Sequence, residues 1–491
     1  MKEHQEILRL LNFGADVAEN DAGLDDYFVE TSDFSTVLAG TVDVIRGHKG
    51  LGKTAMYRTL LSGRYTPPRT LIVSASEATA SDVFRATKAA ATTEDQFRLL
   101  WTAYLASVIA NEVLANVQEH SENKAQLREI ADFLKATGLA KEPSKQGLMD
   151  SIRRMRSVGF GLGMTPDGLP TLNFSLDLSE KVDKLLLSEE HVLRLVDICI
   201  GVLRAGRTKL WVLIDRLDEL FQKSSANEIH SLRALLRAHL NICALRQGQT
   251  DIRCKIFIRT DIYDRVTKVA GFTNVTHLRD LNIVWNARSI VALVSRRMTA
   301  SLAVRQKLNL LKVDTSDPNQ VWNALSPATI QTERSHVWIA KATMDGTGAF
   351  NPRNYITLLS LATRKNIELQ RTNPSGVPTD TILSADSIVS SFGELSRKRL
   401  DDTVLAEFPS ARPYLDRLRG GTAAFDSIPH LADALGLAPS GSSEVEAAIE
   451  LLVEAGVLRR ITFSTFSITY LYRPALKAST RERSNRTAID G

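Results

Sequence analysis

Val42–Thr54 (VDVIRGHKGLGKT) limits what this chain can fold into more than any other stretch. Its β-branched start, Val42 to Ile45, reads as a strand. Gly47-His48-Lys49-Gly50-Leu51-Gly52-Lys53-Thr54 then follows the G-x-x-x-x-G-K-[ST] pattern of a phosphate-binding loop. The chemistry needs these residue types at this spacing. Glycines let backbone N–H groups turn inward around a β-phosphate, where a Cβ would clash. The Lys53 amine reaches the β- and γ-phosphates, and the Thr54 hydroxyl is a ligand for Mg2+. Ala55 to Leu61 reads as a helix with its positive end toward the anion. Gly63 and Pro67-Pro68 close the unit. A chance glycine-rich turn would lack this order of strand, loop and helix.

The 491 residues allow about three domains. Apolar residues make up 44% and charged residues 24%, a globular balance that excludes a largely disordered chain. A net charge of +5 is compatible with nucleic-acid contact without arguing for it. Cys199, Cys243 and Cys254 are far apart in sequence and in apolar surroundings. They show neither a disulfide framework nor metal-ligand spacing, so a cytoplasmic location is expected. Met1 to Asn12 lacks the apolar core and cleavage site of a signal peptide. Leu99–Val117 is the most membrane-like run, but it carries Asn111 and Glu112, so a buried helix is expected and no membrane contact.

The chain divides as follows. Residues 1–40 form a lead-in segment, with a short helix at Glu6–Leu11. In it Tyr27 and Phe28 either support a nucleotide base or pack on the sheet edge. Residues 41–284 form the core, with an insertion over 90–187; residues 285–370 form a helical lid. Within the core, Arg69–Ser76 reads as a second strand. Most of the insertion reads as helix, with a hairpin signal at Pro166-Asp167-Gly168. Ser188–Leu203 returns to the core as an amphipathic helix.

Lys209–Phe221 (KLWVLIDRLDELF) is the second chemical motif. Leu210 to Ile214 is apolar throughout, as a central parallel strand should be. Asp215 then stands at the strand's C-terminal end, where open α/β sheets bind ligands. This places a carboxylate beside the Mg2+ site that Thr54 prepares. Glu219 is the expected catalytic base, polarising the attacking water, with Asp218 as runner-up; the alternative is a solvated helix start. After the strand Ile252–Ile258, Arg259 or Thr260 either reports the third phosphate or caps the next helix. Pro352 fits a first helical position, which puts Arg353 at a helix front. There its guanidinium either reaches a bound phosphate or makes a structural ion pair.

Residues 371–383 read as a linker, 384–476 as a winged-helix domain and 477–491 as a polar tail. In the winged helix, Ser443 and Glu446 suit a capping box, and Val445, Ile449, Leu452 and Val453 line one helix face. Leu458–Phe463 and Phe466–Tyr472 follow as the wing.

Taken in order, these motifs resemble the additional-strand, catalytic-glutamate P-loop ATPases, most closely the branch of AAA-type and signal-transducing (STAND) NTPases. The AENDAGLDDYFVET, LIDRLDELF, KIFIRTDIYDRV, PRNYITLLSLA and ITYLYRPAL stretches are further similar to bacterial P-loop ATPases of antiphage defence loci. The resemblance implies an α/β fold: a parallel-sheet P-loop core with a large, mainly helical insertion, a helical lid and a C-terminal winged helix. It implies ATP and Mg2+ held by Gly47–Thr54 and Asp215, with hydrolysis through Glu219. It also implies an arginine finger, for which Arg216, Arg259, Arg279 and Arg353 compete. His48 and Lys49 depart from the commonest loop; they add positive potential or face solvent. No guanine-selecting N-K-x-D sequence is suitably placed, which favours adenine.

Three functions compete. The first is an ATP-driven switch, read out by homo-oligomerisation or by a separate effector protein. The second is a DNA-binding initiator or loader. Its recognition helix would carry Glu444, Glu446, Glu450 and Glu454 and no Lys or Arg, so nucleic acid is the less favoured partner. The third is an inactive scaffold, which intact Lys53, Thr54, Asp215 and Glu219 count against.

Overall fold

The computed structural model of the protein describes residues 2–75, 91, 93–137, 160–165, 167, 169–178, 181–217, 226–248, 251–268, 277–346, 348–372, 380–438 and 443–479. The chain forms two compact units. One is made of Glu30–Lys49 and Lys53–Ile283, the other of Met1–Val29, Gly50–Gly52 and Val284–Gly491.

The first unit is built on parallel strands: β1 (Val44–Arg46), β2 (Thr70–Ser74), and, after an excursion, three more. The excursion holds β3 (Phe160–Met164), β4 (Pro170–Leu178) and β5 (Lys181–Leu187), a separate antiparallel sheet in that order. The expected hairpin is β3–β4, and β5 adds a strand that no turn signal announced. The main sheet resumes with β6 (Lys209–Ile214), β7 (Ile252–Ile258) and β8 (Asp280–Asn282). Its order is β2-β6-β7-β1-β8, and every pairing is parallel. β7 therefore stands between β1 and β6. The apolar runs explain the centre of the sheet. Leu210–Ile214 is buried throughout and β7 nearly so, as strands covered on both faces must be. β8, only three residues long and half-buried, occupies an edge; its residues carry no strand periodicity.

The Glu94–Asn116 helix starts from a Thr93–Gln96 capping box and buries Phe97, Leu100, Trp101, Leu105 and Ile109. Each such side chain contributes about 1.5–3 kcal/mol on leaving water. The helix lies in one apolar cluster with the Glu189–Ala205 and Ala226–Ala244 helices, and the Trp101 indole donates to Ser231 Oγ at 3.1 Å. Its apolar length thus serves the core, and among the described residues no helix is long and apolar enough to cross a membrane.

At the N-terminal edge of the sheet, Asp43 is 2% exposed and ringed by cations. Arg279 donates to both its oxygens at 2.7 and 2.8 Å, with Lys255 at 3.4 Å and Arg253 at 3.5 Å. Burial alone would raise the Asp43 carboxyl. Hydrogen bonds from His239 and Arg279, with the nearby charges, outweigh it and hold the group well below the carboxylate range. Burial pushes Lys255 down to about 8, against the pull of Asp43. Asp43→Ala should cost about 3–5 kcal/mol of stability, because it leaves buried cations uncompensated. A carboxyl depressed by folding stabilises fully above its unfolded value, about pH 4, and loses that contribution as pH falls below it. Urea melts should therefore show a weaker acid dependence in the variant between about pH 4 and 2. A variant that matches the wild type at pH 7 would refute this account of Asp43.

The second unit has its own apolar core. Ile7 and Leu8 of the Lys2–Leu10 helix join Ile290, Val294, Leu359, Leu395 and Phe466 in it. Helices Ala287–Thr299, Pro352–Thr372 and Ala385–Arg399 supply much of the frame. The N-terminal segment is tied in by buried charge. Arg297 bonds Asp21 at 2.8 Å and lies over the Tyr27 ring, whose hydroxyl donates to Asp21. Arg399 reaches Asp16 at 3.1 Å, and Thr357 donates to the same carboxylate at 2.7 Å. Tyr27 is thereby committed to packing inside this unit.

The winged helix is present. A helix at Arg412–Leu418 leads to the strand Ala424–Phe425, then helices Ile428–Ala434 and Ser443–Glu454. The wing pairs Leu458–Arg460 with Phe466–Ile468, and Ala424–Phe425 completes an antiparallel sheet. The wing strands are shorter than their apolar runs, because Tyr470–Tyr472 turns into a single 3-10 turn.

Candidate nucleotide site

β1 delivers the chain to Gly47, whose N–H donates to Ile258 O of β7 at 3.3 Å. Gly50 and Gly52 then take φ of +86° and +91°, left-handed values that a side chain resists. Such a backbone turns N–H groups inward as an anion-binding nest. The nine-residue Lys53–Leu61 helix follows and buries Met56, Tyr57 and Leu60; Tyr57 meets Phe257 of β7 edge-on. This packing fixes the helix start beneath the loop. The Lys53 amine donates to Gly47 O at 2.7 Å and His48 O at 3.1 Å, so the cation is folded within the loop's own curve. Thr54 lies in the first turn of that helix.

Asp215 follows β6 and is 3% exposed. Register places it. Ile214 pairs with Ile256, and Ile256 pairs with Val44, so Asp215 follows the end of β6 about level with Phe257 and Ile45, two residues before Gly47. β1 and β6 are separated by one strand, a span of about 9.5 Å at the usual spacing. Two motifs more than 160 residues apart in sequence thus end at one sheet edge. Arg216, next in the chain, has φ of +59°, a left-handed strain of order 1–3 kcal/mol at the turn out of β6. Asp218 and Glu219 lie outside the described residues.

After β7, Arg259 occupies the N-cap position of the Thr260–Thr267 helix, and its side chain makes no capping hydrogen bond. Its guanidinium forks onto Asp261 at 3.0 and 2.9 Å. Burial raises the Asp261 carboxyl, and Arg259, with a smaller contribution from His48, more than offsets that and lowers it. Thr260 donates to Asn282 Oδ1 at 3.2 Å. Asn282, at the end of β8, is a neighbour that sequence reasoning missed, since three residues give no strand signal.

Gly50–Gly52 cluster with the second unit. The Trp285 indole donates to Leu51 O at 2.9 Å. A Cβ on Gly50 would stand 2.6 Å from Asn351 Oδ1 and 3.1 Å from Arg353 Cβ. Asn351 caps the Pro352–Thr372 helix by accepting from Arg353 N–H at 3.1 Å, while Arg353 Nε donates to Asp16 O at 3.2 Å. Arg353 therefore stands at the helix front beside Gly50, as part of a backbone tie rather than an ion pair. Trp285 and Asn351 were not singled out from sequence; Asn before Pro is the one cue, an N-cap signal. Among the finger candidates, Arg279 is committed to Asp43 at the other end of the sheet.

The residues fit a nucleotide with its metal. Thr54 and Asp215 offer oxygen donors of the hard kind that Mg2+ takes, and the left-handed glycines leave room for an anion. The three cysteines are free, as expected. Cys243, however, sits beside His239 and Asp43, so its surroundings are not apolar.

No family model matches this chain, nor does any curated protein. Among solved structures, the Aeropyrum pernix ORC2 protein in its ADPNP–ADP complexes is 12% identical, with a TM-score of 0.45 over 93% of this chain and 95% of that one. A Walker-type ATPase of Pyrococcus abyssi is 11% identical, with a TM-score of 0.42 over 92% and 96%. Cdc6p of Pyrobaculum aerophilum is 12% identical, with a TM-score of 0.31 over 93% and 97%. These likenesses are distant, and the reading of the site stands on the residues themselves.

Proposed function

We propose that this chain is a Mg2+-dependent ATPase that works as a conformational switch. One observation carries the reading: the Lys53–Thr54 helix start and Asp215 stand at the same C-terminal edge of a parallel sheet, with β7 between their strands. ATP with Mg2+ supplies a reactive γ-phosphoryl group when bound. The chain's own residues then grip and orient it: loop N–H groups on the phosphates, Lys53 on the β- and γ-oxygens, Thr54 and Asp215 toward the metal. Glu219 orients and deprotonates the attacking water, and Arg259 or Thr260 senses the third phosphate. The output is a homo-oligomer or a separate effector protein, of the kind used in bacterial antiphage defence, in the cytoplasm.

A DNA loader is the competing reading. Charge speaks against it. The Ser443–Glu454 helix is acidic, and Arg460 at the wing base is bonded to Glu450 and lies over Phe466. Phosphate release by the purified chain decides the matter. Turnover should require Mg2+, fall at least tenfold in Asp215→Ala, and change less than twofold with duplex DNA. Strong stimulation by DNA that fades steeply with salt would install the loader. Absence of both ATP binding and turnover would end the proposal.

A further inference from the structure

Away from the nucleotide site, the first unit gathers a second set of reactive groups. Asp43 precedes β1; His239 and Cys243 lie one turn apart on the Ala226–Ala244 helix. Cys243 Sγ is 3.6 Å from both His239 ring nitrogens, and His239 Nε2 is 3.6 Å from Asp43 Oδ2. Nucleophile, base and orienting carboxylate are thus in sequence, the arrangement that activates thiols. Asp43 and His239 are buried, and Cys243 is half-buried.

These three donors lie within 4.8 Å of one another, a spacing that a divalent ion would also accept. Charge decides between the two uses. Asp43 already carries Arg279 on both oxygens and faces Arg253 and Lys255. A dication would add to that positive excess, whereas an anionic sulfur relieves it. Burial works to raise the Cys243 thiol; His239, by charge and hydrogen bond, and then Arg253 outweigh it and lower it. Burial works to lower His239, and Cys243 and Asp43 outweigh that and raise it well above the usual imidazole range. Cys199, in the apolar cluster of this unit, is pushed up to about 12 by burial. Cys254 is also raised.

We propose that Cys243 is a thiolate paired with the His239 imidazolium and is a site of two-electron oxidation by peroxides. The sulfur attacks one peroxide oxygen. An S–O bond forms as the O–O bond breaks; sulfur is oxidised by two electrons and the peroxide is reduced. The departing hydroxide takes the imidazolium proton, leaving a sulfenic acid, water and neutral imidazole.

The test uses the full chain. Iodoacetamide at pH 6.5, read by peptide mass spectrometry, should alkylate Cys243 at least tenfold faster than Cys199 and Cys254. His239→Asn should remove most of that advantage. Unfolding by the substitution would instead speed all three cysteines together. Independently, hydrogen peroxide with dimedone should place an adduct on Cys243 of the unmutated protein and none on Cys199. Equal labelling of the three cysteines, indifference of Cys243 to His239→Asn in a folded variant, or no dimedone adduct would overturn the proposal. So would stoichiometric zinc that shields Cys243 until a chelator removes it.

Discussion

Lys53→Ala should weaken ATP binding by about 100-fold, since charge-assisted hydrogen bonds to phosphate contribute on the order of 3 kcal/mol. The fold should survive. The amine's bonds to Gly47 O and His48 O lie within the loop itself. Titration calorimetry with ATP and Mg2+ gives the affinity, and a thermal melt within a few degrees of wild type shows that folding is intact. Affinity within threefold of wild type would remove Gly47–Thr54 from the nucleotide site, and with it the proposed function.

Glu219→Gln should separate binding from turnover. A positioned general base contributes about 10²–10⁴-fold to rate, so phosphate release should fall by that range while ATP affinity holds. Bound ATP would then persist, visible as unhydrolysed nucleotide recovered with the protein. Wild-type turnover in this variant, together with a collapse in Asp218→Asn, would pass the role to the neighbouring carboxylate. The two variants report different failures: one loses the grip on phosphate, the other loses the attack on it.

Much of this molecule is written locally. The loop Gly47–Thr54, the buried run Leu210–Ile214 ending at Asp215, and the helix-then-wing pattern near the C-terminus are each legible in a window of about a dozen residues. Periodicity, glycine spacing and capping residues act over that range. They identify a parallel-sheet phosphate-binding fold and both halves of its candidate site.

What acts over longer range was not legible. No local pattern says that β7 enters between β1 and β6, although that placement brings the end of β6 and the loop after β1 to the same end of the sheet. Parallel strands are joined by long crossovers, so their order is settled by which buried faces fit together. The same holds for Asp43, whose partners Arg253, Lys255 and Arg279 are all more than 200 residues away. It holds for Asp16 and Asp21, which bind Arg399 and Arg297 and draw the N-terminal segment into the second unit. A charge can be buried only where the finished packing supplies its counter-charge. The sequence by itself determined the chemistry available at each element; the tertiary structure decided which of those groups meet.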